Sequence, residues 1–121
     1  MKRTQIIDFQ GTKIFYMDFG NISSVEEIVS TMNESKDYIR RQPLGSVIAL
    51  TNIGGMHFNN TIRDLFADFI KSNKPYIKHS AVVGVDGLKQ IVYNGVMKIT
   101  GRNVKAFSNA SIAKSWLVSQ N

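Results

Sequence analysis

An α/β fold on a mixed sheet is what this sequence predicts, and three observations predict it. Apolar, β-branched runs alternate with amphipathic helical stretches in the order β-β-α-β-α-β-α-β-α. The first two runs, residues 5–9 and 13–19, are separated only by Gln10-Gly11-Thr12, which is hairpin spacing. The later runs, residues 46–51 and 80–85, are nearly continuous in apolar residues, as strands buried on both faces are. Together they predict an N-terminal antiparallel hairpin followed by parallel strands joined through right-handed crossovers. The expected inventory is about five strands and about four helices. A chain of 121 residues is one domain that buries roughly 65% of its unfolded surface.

Each element has its own signal. In residues 13–19, Phe15, Met17 and Phe19 share one face and Ile14, Tyr16 and Asp18 the other; the first face is the expected core face. Ser24-Val25-Glu26-Glu27 reads as a capping box, with Ser24 covering the Glu27 amide and the Glu27 side chain reaching back. Val25, Ile28, Val29, Met32 and Ile39 then follow at helical spacing, so a first helix should run to about Arg41, stopped by Pro43 and Gly45. Residues 52–60 form a loop rich in glycine and asparagine. The cleanest amphipathic helix is residues 61–72, with Ile62, Leu65, Phe66, Phe69 and Ile70 on one side. Asn73-Lys74-Pro75 ends it. After the strand at 80–85, Asp86-Gly87 turns into a third helix over residues 88–100, ended by Gly101. Residues 104–107 make a short last strand, and Ser108 or Asn109 caps a terminal helix with Trp116 as a core plug.

Charge is distributed unevenly. From Lys71 onward there are eight basic residues and one acid, whereas residues 1–70 carry seven basic residues and eight acids, within a total of +6. Such a skew gives a directional field that favours anionic partners: a membrane surface, a phosphate ligand or an acidic protein. Nucleic acid is disfavoured, because no aromatic-basic motif accompanies the charge. The absence of cysteine excludes disulfides, thiolate catalysis and Cys-ligated metal sites. His57 and His79 are too few for a protein-only zinc site. No catalytic constellation is present, no cofactor motif is found, and a non-enzymatic protein is expected. Residues 1–5 read as no secretory leader and no apolar run is long enough to span a membrane, so a cytoplasmic location, with peripheral membrane contact, is expected.

Two surfaces stand out. The loop after residues 46–51 and the turns at Asp18 and Gly84 should share the carboxyl rim of the strands, where open α/β sheets place ligands. A polar rim pocket would use Asp18, Asn52, His57, Asn60 and Thr61; the competing reading is ordinary turn and cap chemistry. In the third helix, Leu88, Ile91, Val92, Gly95, Val96 and Ile99 form a core stripe. Tyr93 and Met97 fall off it beside Lys89, an arrangement suited to an exposed interaction surface, against the alternative of packing near Trp116. Gly84 and Gly87 lack the spacing of a phosphate-binding loop and read as a strand-to-helix turn.

Several segments carry a resemblance. They are Val47-Ile48-Ala49-Leu50-Thr51-Asn52, Asn73-Lys74-Pro75-Tyr76-Ile77-Lys78, Ala81-Val82-Val83-Gly84-Val85-Asp86-Gly87-Leu88, Gly101-Arg102-Asn103-Val104 and Ala113-Lys114-Ser115-Trp116-Leu117. On these the chain resembles the SpoIIAA-like family, related to STAS domains and more distantly to the CRAL-TRIO lipid carriers. The resemblance implies a βα superhelix with sequential strand order and no catalytic activity. It also implies a binding module, a carrier for a lipid or other small apolar molecule. The alternative it implies is a protein-interaction module of the anti-sigma antagonist kind; a homodimer is compatible with either. The antagonists carry a phosphorylated serine in an Asp-Ser-Ser-Gly stretch. Here the region reads Met56-His57-Phe58-Asn59-Asn60-Thr61-Ile62, with Thr61 its only hydroxyl.

Overall fold

The computed structural model describes residues 3–85, 93, 94, 97 and 104–120. Its elements are β1 (Thr4–Phe9), β2 (Thr12–Asp18), α1 (Val25–Ile39), β3 (Val47–Asn52), α2 (Asn60–Asn73), a 3-10 turn (Lys74–Tyr76), β4 (Ile77–Val83), β5 (Lys105–Phe107) and α3 (Ala110–Gln120). The five strands form one sheet in sequential order, β1-β2-β3-β4-β5. β1 and β2 pair antiparallel, and every later pair is parallel. The α/β class and the mixed sheet thus match the sequence. Three α-helices are complete among the described residues. The expected helix over 88–100 lies mostly outside them, though Tyr93, Asn94 and Met97 are helical.

Sequential order has a geometric consequence. Right-handed crossovers that step steadily in one direction place their helices on one face of the sheet. Accordingly α1, α2, Tyr93 and Met97 all pack on the face that carries Phe15, Met17, Ala49 and Val82. α3, which follows the last strand, covers the opposite face through Ala113 and Leu117 against Ile14, Ile48, Leu50, Ala81 and Val83. Both faces of β3 are therefore dry, which is why Val47–Leu50 is apolar without alternation. β2 is likewise two-sided: Ile14, expected on the outer face, is fully buried under α3. Trp116 packs on Phe107 with ring centroids 5.4 Å apart, and Lys114 sits 5.8 Å from the centre of the Phe9 ring.

The helix starts are set by side-chain caps. Asn59 Oδ1 accepts from the Ile62 amide at 2.9 Å, and Asn109 Oδ1 does the same for Ile112. Ser24 Oγ accepts from the Glu27 amide at 3.2 Å. The reciprocal half of the capping box does not form. Glu27 instead takes an ion pair from Arg3 at 3.0 Å, since a charged donor outcompetes a neutral amide for a carboxylate. Inside α1, the buried hydroxyls of Thr31 and Ser35 donate to the carbonyls one turn back, at 2.9 and 2.8 Å, which satisfies them without a partner across the core.

Candidate functional site

The carboxyl rim is built where the sequence places it, but its own backbone fills it. Asp18 Oδ1 accepts from the Gly20 amide at 2.9 Å and from Asn52 Nδ2 at 3.1 Å. Asn52 Oδ1 in turn accepts from the Gly54 amide at 3.0 Å. Three glycines, Gly20, Gly54 and Gly84, let the strand exits of β2, β3 and β4 close on one another. A Cβ on Gly20 would lie 2.7 Å from Asn52 Nδ2 and 2.9 Å from Asp18 Oδ1. Asp18 and Asn52 are thus brought together, as expected, and are occupied in holding the rim.

The other three expected rim residues stand apart. His57, Asn60 and Thr61 are exposed, and none has a hydrogen bond to Asp18 or Asn52 among the described residues. His57 approaches only Asn59, at 3.4 Å, and its amide donates to the Ile22 carbonyl. Of the five, only Asp18 and Asn52 are joined by a hydrogen bond among the described residues. Cap chemistry is present beside them, with Asn59 as the cap of α2. Beside Asp18, an open depression is lined by Arg3, Thr4, Gln5, Tyr16, Gly20 and Asn21. Two of its polar side chains are already engaged: Arg3 with Glu27 and with the carbonyls of Asp18 and Gly20, and Thr4 with Glu34. No group of three or more metal-ligating side chains occurs among the described residues.

A second, smaller and mostly apolar space lies between the helical face of the sheet and α2. Thr51, Ile53, Ser80 and Val82 form its floor, and Phe66, Phe69 and Ile70 of α2 form one wall. Met56 and Phe58 come from the loop before α2, and Tyr93, Met97 and Val104 close the remaining side. Its free volume is about 80 Å³. The lining is almost wholly apolar, apart from the hydroxyls of Thr51, Ser80 and Tyr93.

This corrects the reading of Tyr93 and Met97 as an exposed surface. Both are half-buried and pack on the main core, and Met97 Sδ accepts from the Val104 amide at 3.4 Å. They share a helical face at i, i+4, and that face is spent on Phe66, Phe69 and Val82, which offer apolar area where water does not. Lys89, the third member of that expected surface, lies outside the described residues. The sequence did hold a signal for the cavity. Ile53, Met56 and Phe58 are apolar residues in a loop otherwise made of glycine, asparagine and histidine, and a solvated loop has no use for them.

Burial raises the Tyr93 phenol above its ordinary value. Tyr16 is raised first by burial and then by the negative charge of Asp18, with a hydrogen bond from Asn52 partly offsetting both. A phenol with a raised folded value contributes stability that is complete below about pH 10, the unfolded value, and is lost as pH rises through the folded one. Thermal melts between neutral and strongly alkaline pH should therefore show a loss of stability above about pH 10. Tyr16→Phe and Tyr93→Phe should each make that loss shallower. An unchanged alkaline slope in both variants would remove these phenols from the account.

No protein-family model, no curated protein and no solved structure matches this chain. No helix among the described residues is long and apolar enough to cross a membrane.

Proposed function

We propose that this chain is a non-enzymatic binding module, a carrier for a small apolar ligand of lipid or related character, which works in contact with a membrane surface. The observation that supports it most is the apolar cavity between α2 and the sheet. Ligand sites are concave, mostly apolar and fitted with few polar groups, and this one offers three hydroxyls on otherwise apolar walls. The Tyr93 phenol is neutral at physiological pH and can donate to a carbonyl, hydroxyl or ester oxygen on the ligand.

Size limits what enters. The free volume of about 80 Å³ is smaller than the roughly 150 Å³ that takes up benzene in an engineered core cavity. A larger ligand requires the walls to move. Met56 and Met97 supply that freedom, since an unbranched thioether repacks at little cost.

Mass spectrometry of the purified protein, native and then after organic extraction, tests the reading. A stoichiometric small apolar molecule is the expected result. Met97→Trp, which fills the cavity, should lose it while keeping a cooperative melt. Tyr93→Phe should weaken retention about fivefold, the worth of one neutral hydrogen bond. A clean apo mass, together with no uptake of a fluorescent apolar probe, would sink the carrier. The protein-interaction reading, through residues 56–61, would then take its place.

A further inference from the structure

Six basic residues, drawn from both halves of the sequence, fall at one rim of the sheet. Both α1 and α2 end at the amino ends of the parallel strands, and so do the loop after α1 and the 3-10 turn. Residues 36–46 and 68–78, which make up this rim, hold Lys36, Arg40, Arg41, Lys71, Lys74 and Lys78 against two acids, Asp37 and Asp68. Arg40, Arg41, Lys71 and Lys74 make no ion pair with the rim acids Asp37 and Asp68 or with any other described residue.

One apolar side chain projects from the middle of this rim. Leu44 is 72% exposed, more than any other large hydrophobic residue described. It is not on a slack loop. The Gly45 amide donates to the Pro75 carbonyl at 2.9 Å, Gln42 Nε2 to the Tyr38 carbonyl at 3.1 Å, and Ser46 Oγ to the Pro43 carbonyl at 2.6 Å. Arg40 lies 6.0 Å from the centre of the Tyr76 ring, which ties the two segments into one surface. Cations at helix C-termini complement the macrodipole, and that accounts for Lys36 and Lys71. It gives no reason to hold a leucine out in water among them.

We propose that this rim docks on an anionic lipid bilayer, with Leu44 entering the headgroup region and Arg40, Arg41 and Lys74 meeting lipid phosphates. An apolar tip ringed by cations matches that surface in both its layers, charge outside and hydrocarbon within. The inference gives the membrane contact of the proposed function a location, and it does not depend on the cavity.

Cosedimentation with vesicles of phosphatidylcholine plus phosphatidylserine, against phosphatidylcholine alone, tests it. Binding should require phosphatidylserine and weaken as salt shortens the Debye length below about 10 Å. Arg41→Glu/Lys74→Glu should bind at least about 25-fold more weakly, at about fivefold per cation removed. Leu44→Ser should bind about tenfold more weakly with the same salt dependence. Because Leu44 is so exposed, that variant should melt like the parent. Lys105→Glu, on the far edge strand, should bind like the parent. Equal losses in Lys105→Glu, no preference for phosphatidylserine, or binding untouched by Leu44→Ser would each overturn the proposal. Vesicle binding with neither an extracted ligand nor probe uptake would sink the carrier and leave this contact standing; the reverse result would sink the contact alone.

Discussion

Gly84→Ala is expected to destabilise the protein by about 3 kcal/mol, read as a shift of the urea midpoint with an unchanged slope. Gly84 leaves β4 with a φ of +90°, a conformation that costs an L side chain about 1–2 kcal/mol by itself. The added Cβ would also lie 2.6 Å from Gly54 Cα, so backbone rather than a yielding side chain stands in its way. The strand exits of β3 and β4 would have to separate, and with them the Ile53 amide's hydrogen bond to the Val83 carbonyl at 3.0 Å. Gly54→Ala is the matched control. Its Cβ meets Asn52 Oδ1 at 3.2 Å and Gly84 Cα at 3.8 Å, contacts that a small adjustment absorbs. It should cost about 1 kcal/mol. Equal effects at the two positions would show that the exits are looser than described.

Phe19→Ala should cost about 3–5 kcal/mol, the range for removing a buried aromatic ring. Phe19 is fully buried and meets Phe66 edge-on at 4.9 Å and Phe69 at 6.2 Å. Those two rings are also the α2 wall of the cavity. The substitution therefore tests more than stability: a void behind Phe66 and Phe69 lets the wall retreat, and the variant should take up a larger apolar probe than the parent. Phe19→Leu, which keeps most of the volume, should cost about 1.5 kcal/mol and change uptake little. A loss below about 1 kcal/mol for the alanine variant would contradict the packing of this cluster.

Much of the architecture was legible because its signals are local. The hairpin break at Gly11, the alternation of Phe15, Met17 and Phe19, and the apolar stripe of α2 each depend on spacing within one element. The rim was only half legible. Asp18 and Asn52 do meet, but sequence shows donors and acceptors without showing that they satisfy each other, and so a self-bonded turn reads like a pocket. Glu27 failed as a capping partner for a similar reason, since its competitor Arg3 is 24 residues away. Tyr93 and Met97 were misplaced because a helical stripe fixes which residues share a side, and tertiary packing decides which side faces inward. The cavity was least legible. Empty space is a property of several elements at once, and only the apolar residues Ile53, Met56 and Phe58 of one loop hinted at it.

The neighbour-by-neighbour strand order bears on how the chain assembles. Each strand pairs with the one made just before it, so no segment must wait for a distant partner, and loop-closure costs stay small. The sheet can lengthen one strand at a time from the hairpin as the polypeptide emerges from the ribosome. One face matures during that growth, because each crossover brings its own helix. The other face, with Ile48, Leu50, Ala81 and Val83, stays bare until α3 docks, which makes the growing chain stickiest just before that last helix is free to pack.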